Sequence, residues 1–105
     1  MFYVYILRCE DNSLYTGITT DVARRFSEHL EGGTKGAKYT RSHKPAKIEA
    51  VWETDSKINA SKLEFRIKKL EKQQKELLIA KKLKFGDIFC DVETDSYNRT
   101  DINFL

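Results

Sequence analysis

Tyrosine, arginine and histidine follow one another at regular intervals near the start of this sequence. Tyr5 and Tyr15 lie ten residues apart, Arg25 follows after another ten, and His29 is four residues further on. A guanidinium holds anionic oxygens through paired hydrogen bonds, imidazole exchanges protons near neutral pH, and a phenol can orient water or accept its proton. Glu64, much later in the chain, is the acid that we add to this set. These residue types suit acid–base chemistry on an anionic substrate.

The two tyrosines lie in segments that predict a β-hairpin. Residues 2–8 and 14–18 are rich in aromatic and aliphatic side chains, and residues 11–13 between them are the turn formers Asp, Asn and Ser. Side chains alternate along a strand, which places Phe2, Val4 and Ile6 on one face and Tyr3, Tyr5 and Leu7 on the other. Tyr15 and Gly17 likewise share a face. The missing side chain at Gly17 lets another group approach the backbone closely.

A helix is predicted directly after the hairpin. Thr19, Thr20 and Asp21 supply N-cap oxygens, and the helix runs from residue 22 to a stop at Gly32-Gly33. Its expected core stripe consists of Val22, Phe26 and Leu30. Arg25 and His29 lie one helical turn apart beside that stripe, so they share a face.

The remaining elements are predicted from periodicity and composition. Residues 32–44 are glycine-rich and basic and predict a loop, and residues 45–54 predict a third strand. Helices are expected over residues 57–70 and 71–84. Residues 85–105 predict a mobile acidic tail. The side chains expected to face the core from the first of these helices are Ile58, Leu63, Ile67 and Leu70. The second helix carries Leu77, Leu78 and Ala80 among many lysines. We therefore predict an α+β domain over residues 1–84. Its three-stranded, mostly antiparallel sheet is flanked by helices in the order β-β-α-β-α-α.

Composition is that of a small globular protein. The chain has 105 residues, 40% of them hydrophobic and 33% charged, which is enough for one domain. No apolar run reaches the ~20 residues of a membrane span. The N-terminus enters a strand-like segment without a basic and apolar leader, so we expect a cytoplasmic protein. The two cysteines, Cys9 and Cys90, are expected to be free thiols, and no Cys/His cluster predicts zinc.

Charge is distributed unevenly along the chain. Residues 1–84 carry a net charge of +7 and residues 85–105 a net charge of −4, for a total of +3. A basic body favours a polyanionic partner such as nucleic acid, although a solvated surface on any small protein explains the charge equally well.

The motifs YVY at residues 3–5 and YTG at residues 15–17, followed by Arg25, His29 and Glu64, resemble those of the GIY-YIG endonuclease family. The similarity is greatest to its short stand-alone bacterial members and covers about residues 2 to 83. There are departures. The first tripeptide has lost its glycine, residues 18–20 offer no basic side chain after the second tripeptide, and the family's downstream asparagine has no clear equivalent. We also expect no additional DNA-recognition domain.

The resemblance implies a metal-dependent endonuclease that hydrolyses DNA phosphodiester bonds, in DNA repair or in the processing of branched or single-stranded DNA. It implies that Glu64 holds a single Mg²⁺ or Mn²⁺ and that Arg25 holds a phosphate oxygen. It implies that His29 shuttles a proton or hydrogen-bonds the phosphate. Tyr5 is then the general base and Tyr15 orients water or phosphate, with exchanged roles left open. Ionising a phenol at pH 7 costs roughly 4 kcal/mol, which Arg25, His29 and a metal would have to offset.

Further residues are expected to contact the nucleic acid: Gly17, Arg24, Lys35, Lys38, Tyr39, Arg41 and Lys44. Each prediction has a plainer alternative. Glu64 can pair with Lys68 one turn away, the tyrosines can be ordinary strand aromatics, and His29 can be a surface histidine. At the level of function, the alternatives are a nucleic-acid-binding module with little turnover and a protein-interaction domain. A protein partner that supplies specificity is compatible with all three, and the oligomeric state is left open.

Overall fold

The computed structural model describes residues 1–32 and 36–100. Its elements in chain order are β1 (Phe2–Cys9), β2 (Leu14–Thr19), α1 (Val22–Glu31), α2 (Lys38–Ser42), β3 (Pro45–Thr54), α3 (Lys57–Lys68), α4 (Lys72–Ile79), α5 (Phe85–Ile88), a 3₁₀ turn (Thr94–Ser96) and β4 (Asn98–Arg99). The predicted α+β class and antiparallel sheet are confirmed. No helix in the described ranges is both long enough and apolar enough to cross a bilayer.

The sheet has four strands in the order β2-β1-β3-β4, all pairs antiparallel, so the prediction of three strands was wrong. The additional strand is only two residues long: Asn98 and Arg99 pair with Glu53 and Trp52 of β3. A strand of two residues has no measurable alternation, which explains why periodicity did not reveal it.

The central strand β1 separates two packed layers. Phe2, Val4 and Ile6 pack with α3, α4 and the C-terminal segment (residues 85–100). Tyr3, Tyr5 and Leu7 pack with α1 on the other side. This division confirms the predicted alternation. The larger hydrophobic cluster lies on the first face, and the residues singled out for chemistry lie on the second.

Two predicted core positions were wrong. Leu30 of α1 is 46% exposed and Ile58 of α3 is 77% exposed. In α1 the buried stripe shifts by one residue, from Leu30 to His29, which is completely buried. Spacings of three and four residues both keep side chains on one helical face, and only the packing partners decide between them.

Helix boundaries follow local capping. Asp21 accepts a hydrogen bond from the backbone of Arg24, and Ser56 accepts one from Asn59, as expected for N-caps. The segment predicted as a loop over 32–44 contains the short helix α2. The helix predicted over 71–84 ends earlier, at Ile79.

Residues 85–100 belong to the packed body of the protein, in contrast to the mobile tail expected from the sequence. Phe85, Phe89, Val92 and Tyr97 are each at most 8% exposed and join the larger cluster. The segment's acidic side chains suggested a solvated tail, but its aromatic residues, although not periodic, cover the open face of the sheet. Residues 101–105 of the expected tail lie outside the described range.

Truncating Phe85 tests this packing. Phe85→Ala should lower the free energy of unfolding by about 3–5 kcal/mol, the usual cost of a buried phenylalanine. Urea unfolding of the full chain measures the change. Cys90→Ala, at an exposed position of the same segment, should change it by less than about 0.5 kcal/mol. A mobile tail would make the two variants indistinguishable.

Candidate active site

Tyr5 lies at the centre of the site, on β1 opposite Gly17 of β2. A Cβ atom added to Gly17 would lie 2.6 Å from Cζ of Tyr5, well inside van der Waals contact, and closer still to the Tyr5 hydroxyl. The predicted close approach to Gly17 is therefore observed, and the approaching group is the tyrosine of the neighbouring strand. Gly17 is itself buried, so its observed part in the site is to admit this ring.

A chain of hydrogen bonds leads from Tyr5 through α1 to α2. The Tyr5 hydroxyl lies 2.8 Å from His29 Nε2, and His29 Nδ1 lies 2.8 Å from Thr40 Oγ1. Thr40 donates its only hydroxyl proton to the carbonyl of Ala37 at 3.1 Å. Its oxygen must therefore accept from Nδ1–H, which leaves Nε2 as the acceptor for the Tyr5 proton. The network selects one tautomer of His29.

Burial keeps the side chains of this hydrogen-bond chain electrically neutral. Burial first, and the positive charge of Arg25 second, lower the pKa of His29 to about 4. Burial also raises the pKa of Tyr5 above that of an ordinary phenol; Tyr15 and Glu64 act in the same direction, and Arg25 opposes them. At pH 7 both groups are uncharged, so Tyr5 O–H is the donor and the imidazole the acceptor.

Arg25 and Glu64 are charged neighbours of Tyr5 in this hydrogen-bond chain. Arg25 is hydrogen-bonded to Tyr5 and forms an ion pair with Glu28 at 3.0 Å. Glu64 is near enough to affect the pKa of Tyr5, and its carboxylate lies 3.4 Å from the ammonium of Lys68. The alternative reading of Glu64 as a helical ion-pair partner is thus observed in the structure, and the same side chain also lies beside the tyrosines.

Aromatic rings continue from the site to the surface. The Tyr15 ring centroid lies 6.4 Å from that of Tyr5 and 5.3 Å from that of His29. Tyr39 of α2 stacks on Tyr15 at 5.7 Å and on His43 at 4.1 Å. His43 Nδ1 is 2.5 Å from a carboxylate oxygen of Asp11 in the β1–β2 turn. The hairpin turn and α2 are therefore joined above the site.

The predicted basic contacts lie at the protein surface. Arg24 of α1 and Lys38, Arg41 and Lys44 near α2 are exposed. Lys44 lies 3.7 Å from a carboxylate oxygen of Glu10. Lys35 lies outside the described residues.

Two residues of the site were missed at the sequence level. Thr40 orients His29, but its segment predicted a loop, and nothing in the local sequence indicates that a threonine there faces α1. Lys68 was considered only as a partner of Glu64, yet its ammonium also lies 6.0 Å from the centre of the Tyr15 ring. It supplies a cation beside the second tyrosine, where residues 18–20 offer none.

Comparison with known proteins is consistent with this geometry. Residues 1–77 match the family described as the GIY-YIG catalytic domain. The chain belongs to the GIY-YIG family. That family is of the nuclease type, and the predicted resemblance is confirmed.

Similar proteins are short GIY-YIG proteins of the same stand-alone kind. A UPF0213 protein of Fusobacterium nucleatum is 52% identical over 80 residues, covering 76% of this chain and 78% of the relative. A UPF0213 protein of Cupriavidus necator is 53% identical over 79 residues, with 75% and 84% covered. The solution NMR structure of a UPF0213 protein from Bacillus halodurans is 43% identical, with a TM-score of 0.50, and the match covers 90% of this chain and 99% of that one.

The site offers a metal ion few protein ligands. Within residues 1–32 and 36–100, no group of three or more His, Cys, Asp or Glu side chains could enclose a metal ion. Glu64 is a hard oxygen donor with 22% of its side chain exposed. Such a donor fits a hydrated Mg²⁺ or Mn²⁺, which keeps most of its water ligands and needs only one or two carboxylates.

The burial of neutral His29 predicts how stability depends on pH. An unfolded histidine has a pKa of about 6.5, whereas His29 in the folded protein has a pKa of about 4. Between these values the unfolded chain binds a proton that the folded chain does not. The free energy of unfolding should therefore fall as the pH is lowered from about 6.5 to about 4, by up to about 3 kcal/mol.

Urea unfolding across this pH range measures the effect, and the decisive quantity is the difference between variants. His29→Gln should remove the contribution, whereas His43→Gln, which replaces the other of the two histidines, should retain it. An unchanged pH slope in His29→Gln would show that other groups cause the loss of stability.

Proposed function

We propose that this protein is a metal-dependent endonuclease that hydrolyses phosphodiester bonds in DNA. The observation that carries the proposal is the directed hydrogen-bond chain from Tyr5 through His29 to Thr40, beside Arg25 and Glu64. Phosphodiester hydrolysis needs a base for the attacking water, positive charge for the phosphate, and a means of stabilising the leaving oxygen. The family supports a nuclease-type activity, and the site contains a candidate for each of the first two requirements.

In the proposed reaction, Tyr5 is the general base and His29 receives the proton that Tyr5 gives up. Water transfers a proton to the Tyr5 oxygen while the Tyr5 proton passes to His29 Nε2, 2.8 Å away. The oxygen–phosphorus bond to the leaving strand breaks as the water oxygen bonds to phosphorus. Simultaneous transfer avoids a free phenolate, which the burial that raises the pKa of Tyr5 makes costly. The hydrogen bond to His29 that permits this transfer favours Tyr5 over Tyr15 as the base.

Arg25 and Glu64 take the remaining roles. The Arg25 guanidinium, hydrogen-bonded to Tyr5, would hold a nonbridging phosphate oxygen and align the phosphorus with the attacking water. Glu64 would hold a single Mg²⁺ or Mn²⁺ once its carboxylate separates from Lys68. The metal supplies positive charge for the developing negative charge on phosphate and leaving oxygen. Lys68 would then remain beside Tyr15 as a further cation for the phosphate.

The column of Tyr15, Tyr39 and His43 favours DNA with unpaired bases. Tyr39 stacks on Tyr15 at 5.7 Å and on His43 at 4.1 Å, and a nucleobase would extend this stack only if it were unpaired. Lys38 and Arg41 on the same short helix are exposed for backbone contacts. We therefore propose single-stranded or branched DNA, in repair or processing, as the substrate class.

One observation favours a second function, a nucleic-acid-binding module with little turnover. The carboxylate best suited to the metal is engaged by Lys68 at 3.4 Å. Such a protein would bind DNA with a strong dependence on salt and cleave none of it.

Cleavage of labelled duplex, single-stranded, nicked, flapped and branched DNA, with Mg²⁺ or Mn²⁺, distinguishes the two. We expect cleavage of substrates with unpaired bases, lowered by about a hundredfold or more in Glu64→Gln and Arg25→Ala. Arg24→Ala, adjacent in sequence and exposed, removes an expected contact to the nucleic acid and is the matched control. It should retain kcat and change only KM for DNA.

Salt-sensitive binding without cleavage of any substrate would instead support the binding module. Cleavage that persists in Glu64→Gln would contradict the metal role of that residue. Loss of activity in Arg24→Ala equal to that in Arg25→Ala would indicate a general effect of charge.

The orientation of His29 by Thr40 makes a separate prediction. Thr40→Val keeps the shape of the side chain but removes the acceptor of Nδ1–H, so His29 can adopt the wrong tautomer. We expect kcat to fall by about tenfold to a hundredfold with KM for DNA unchanged, and the pH profile of kcat to shift.

Thr40→Ser keeps the hydroxyl and should restore most of the activity. Single-turnover cleavage across pH measures both variants, with thermal unfolding as the check of folding. Wild-type kcat in a folded Thr40→Val variant would exclude this role for Thr40.

A further inference from the structure

A cavity of about 410 Å³ lies on the face of the sheet opposite the candidate active site. Its walls include Trp52 of β3 and Phe85 and Tyr97 of the C-terminal segment, which belong to the larger hydrophobic cluster, whereas Tyr5 belongs to the other. Its volume falls in the range of cavities that hold small organic ligands. The cavity is therefore separate from the site proposed for DNA cleavage.

The aromatic wall is rigid and already formed. The ring centroid of Phe85 lies 5.6 Å from that of Trp52 and 5.7 Å from that of Tyr97. The Tyr97 hydroxyl donates to the backbone carbonyl of Asn59 at 2.7 Å, which fixes its ring. All three aromatic residues are at most 7% exposed. Such a wall suits a flat, unsaturated ring, since stacking does not require these side chains to reorganise.

Among the residues that the structure describes, the charged side chains that line the cavity are all cations. They are Lys81, Lys84 and Arg99; the acidic side chains of residues 85–100 do not line it. Arg99 lies 5.2 Å from the centre of the Trp52 ring and donates to the carbonyls of Leu78 and Ile79. A positive charge is thus held beside the aromatic wall, and an anionic group on the ligand would complement it.

The backbone at Lys81 provides an independent indication of function. α4 ends with the amide of Lys81 bonded to the carbonyl of Leu78 and that of Lys82 bonded to the carbonyl of Leu77. Lys81 then takes the left-handed conformation, with φ of 61°, at the position where glycine is usual. A lysine there costs stability, and strained residues of this kind concentrate at ligand sites. The side chain of Lys81, which is present despite this strain, lines the cavity.

We propose that this cavity binds a nucleoside monophosphate. Its base would lie against the aromatic wall of Trp52, Phe85 and Tyr97, and its phosphate would meet Lys81 and Lys84. Except for Trp52, these residues follow residue 77, where the match to the GIY-YIG catalytic domain ends. The cavity is therefore an addition to the catalytic domain, and the proposal does not depend on whether the protein cleaves DNA.

Trp52 is the only tryptophan of the chain and reports directly on this cavity. Titration of the full-length protein with adenosine 5′-monophosphate should quench its fluorescence saturably, with a Kd below about 1 mM. Adenosine and inorganic phosphate, tested separately, should each bind about tenfold more weakly or worse, because each lacks one of the two contacts. Equally tight binding of adenosine would refute the role of the cations, and the absence of a saturable response would overturn the proposal.

Neighbouring lysines provide matched variants. Lys84→Gln should raise the Kd for adenosine 5′-monophosphate by about tenfold, and Lys82→Gln, which removes an adjacent charge that does not line the cavity, should leave it unchanged. Lys81→Gly should weaken binding while leaving the thermal midpoint the same or higher, because glycine relieves the backbone strain. This combination separates loss of a ligand contact from loss of folding.

Two outcomes would contradict the assignment. Equal weakening by Lys82→Gln and Lys84→Gln would indicate diffuse attraction to a basic surface. Loss of the Trp52 response in Arg25→Ala, on the opposite face of the sheet, would mean that the nucleotide binds at the candidate active site.

Discussion

The hydrogen bond between the Tyr5 hydroxyl and His29 Nε2 is the interaction on which the candidate active site depends. It joins β1 to α1 at 2.8 Å, between two side chains that are each at most 2% exposed. A buried pair of polar groups is tolerated only when every donor and acceptor is satisfied. That requirement accounts for the neighbours: Gly17 makes room for the tyrosine ring, and Thr40 accepts from the other imidazole nitrogen. It also accounts for the low pKa of His29, since a charged imidazole would lose more hydration than this network returns.

The neutrality of this network has a chemical consequence. With a phenol and an imidazole that are both uncharged at pH 7, a proton can pass only from Tyr5 to His29. No phenolate forms if Tyr5 takes a proton from water in the same step. Arg25 at the edge of the pair opposes protonation of His29 and favours ionisation of Tyr5. Phosphate arriving beside Arg25 would partly cancel its positive charge, and protonated His29 would become less unfavourable. Substrate binding would thus help to prepare the base, which links positioning to catalysis in the proposed nuclease.

The two faces of one sheet serve different purposes. Alternation along β1 sends Tyr3, Tyr5 and Leu7 to the side of α1 and Phe2, Val4 and Ile6 to the larger core. The C-terminal segment completes that core. The Arg99 guanidinium caps the C-terminus of α4 by donating hydrogen bonds to its last carbonyl oxygens. The same segment also supplies part of the wall of the basic, aromatic cavity, including Phe85, Tyr97 and Arg99. The part of the chain that completes the core therefore also contributes to a second surface.

The sequence by itself determined the hairpin, its alternation and the capped helices, because strand period and capping are local properties. The set of Tyr5, Tyr15, Arg25, His29 and Glu64 came from the resemblance of its motifs to those of the GIY-YIG family. Tertiary structure decided what these signals do not contain. A two-residue β4 has no period, and a segment rich in acids joins the core through aromatic residues without helical or strand spacing. His29 rather than Leu30 is buried because α2 and Tyr5 offer it two hydrogen bonds, and Thr40 meets it only when a predicted loop forms a helix. Packing partners distant in sequence, and the need to satisfy buried polar groups, made these choices.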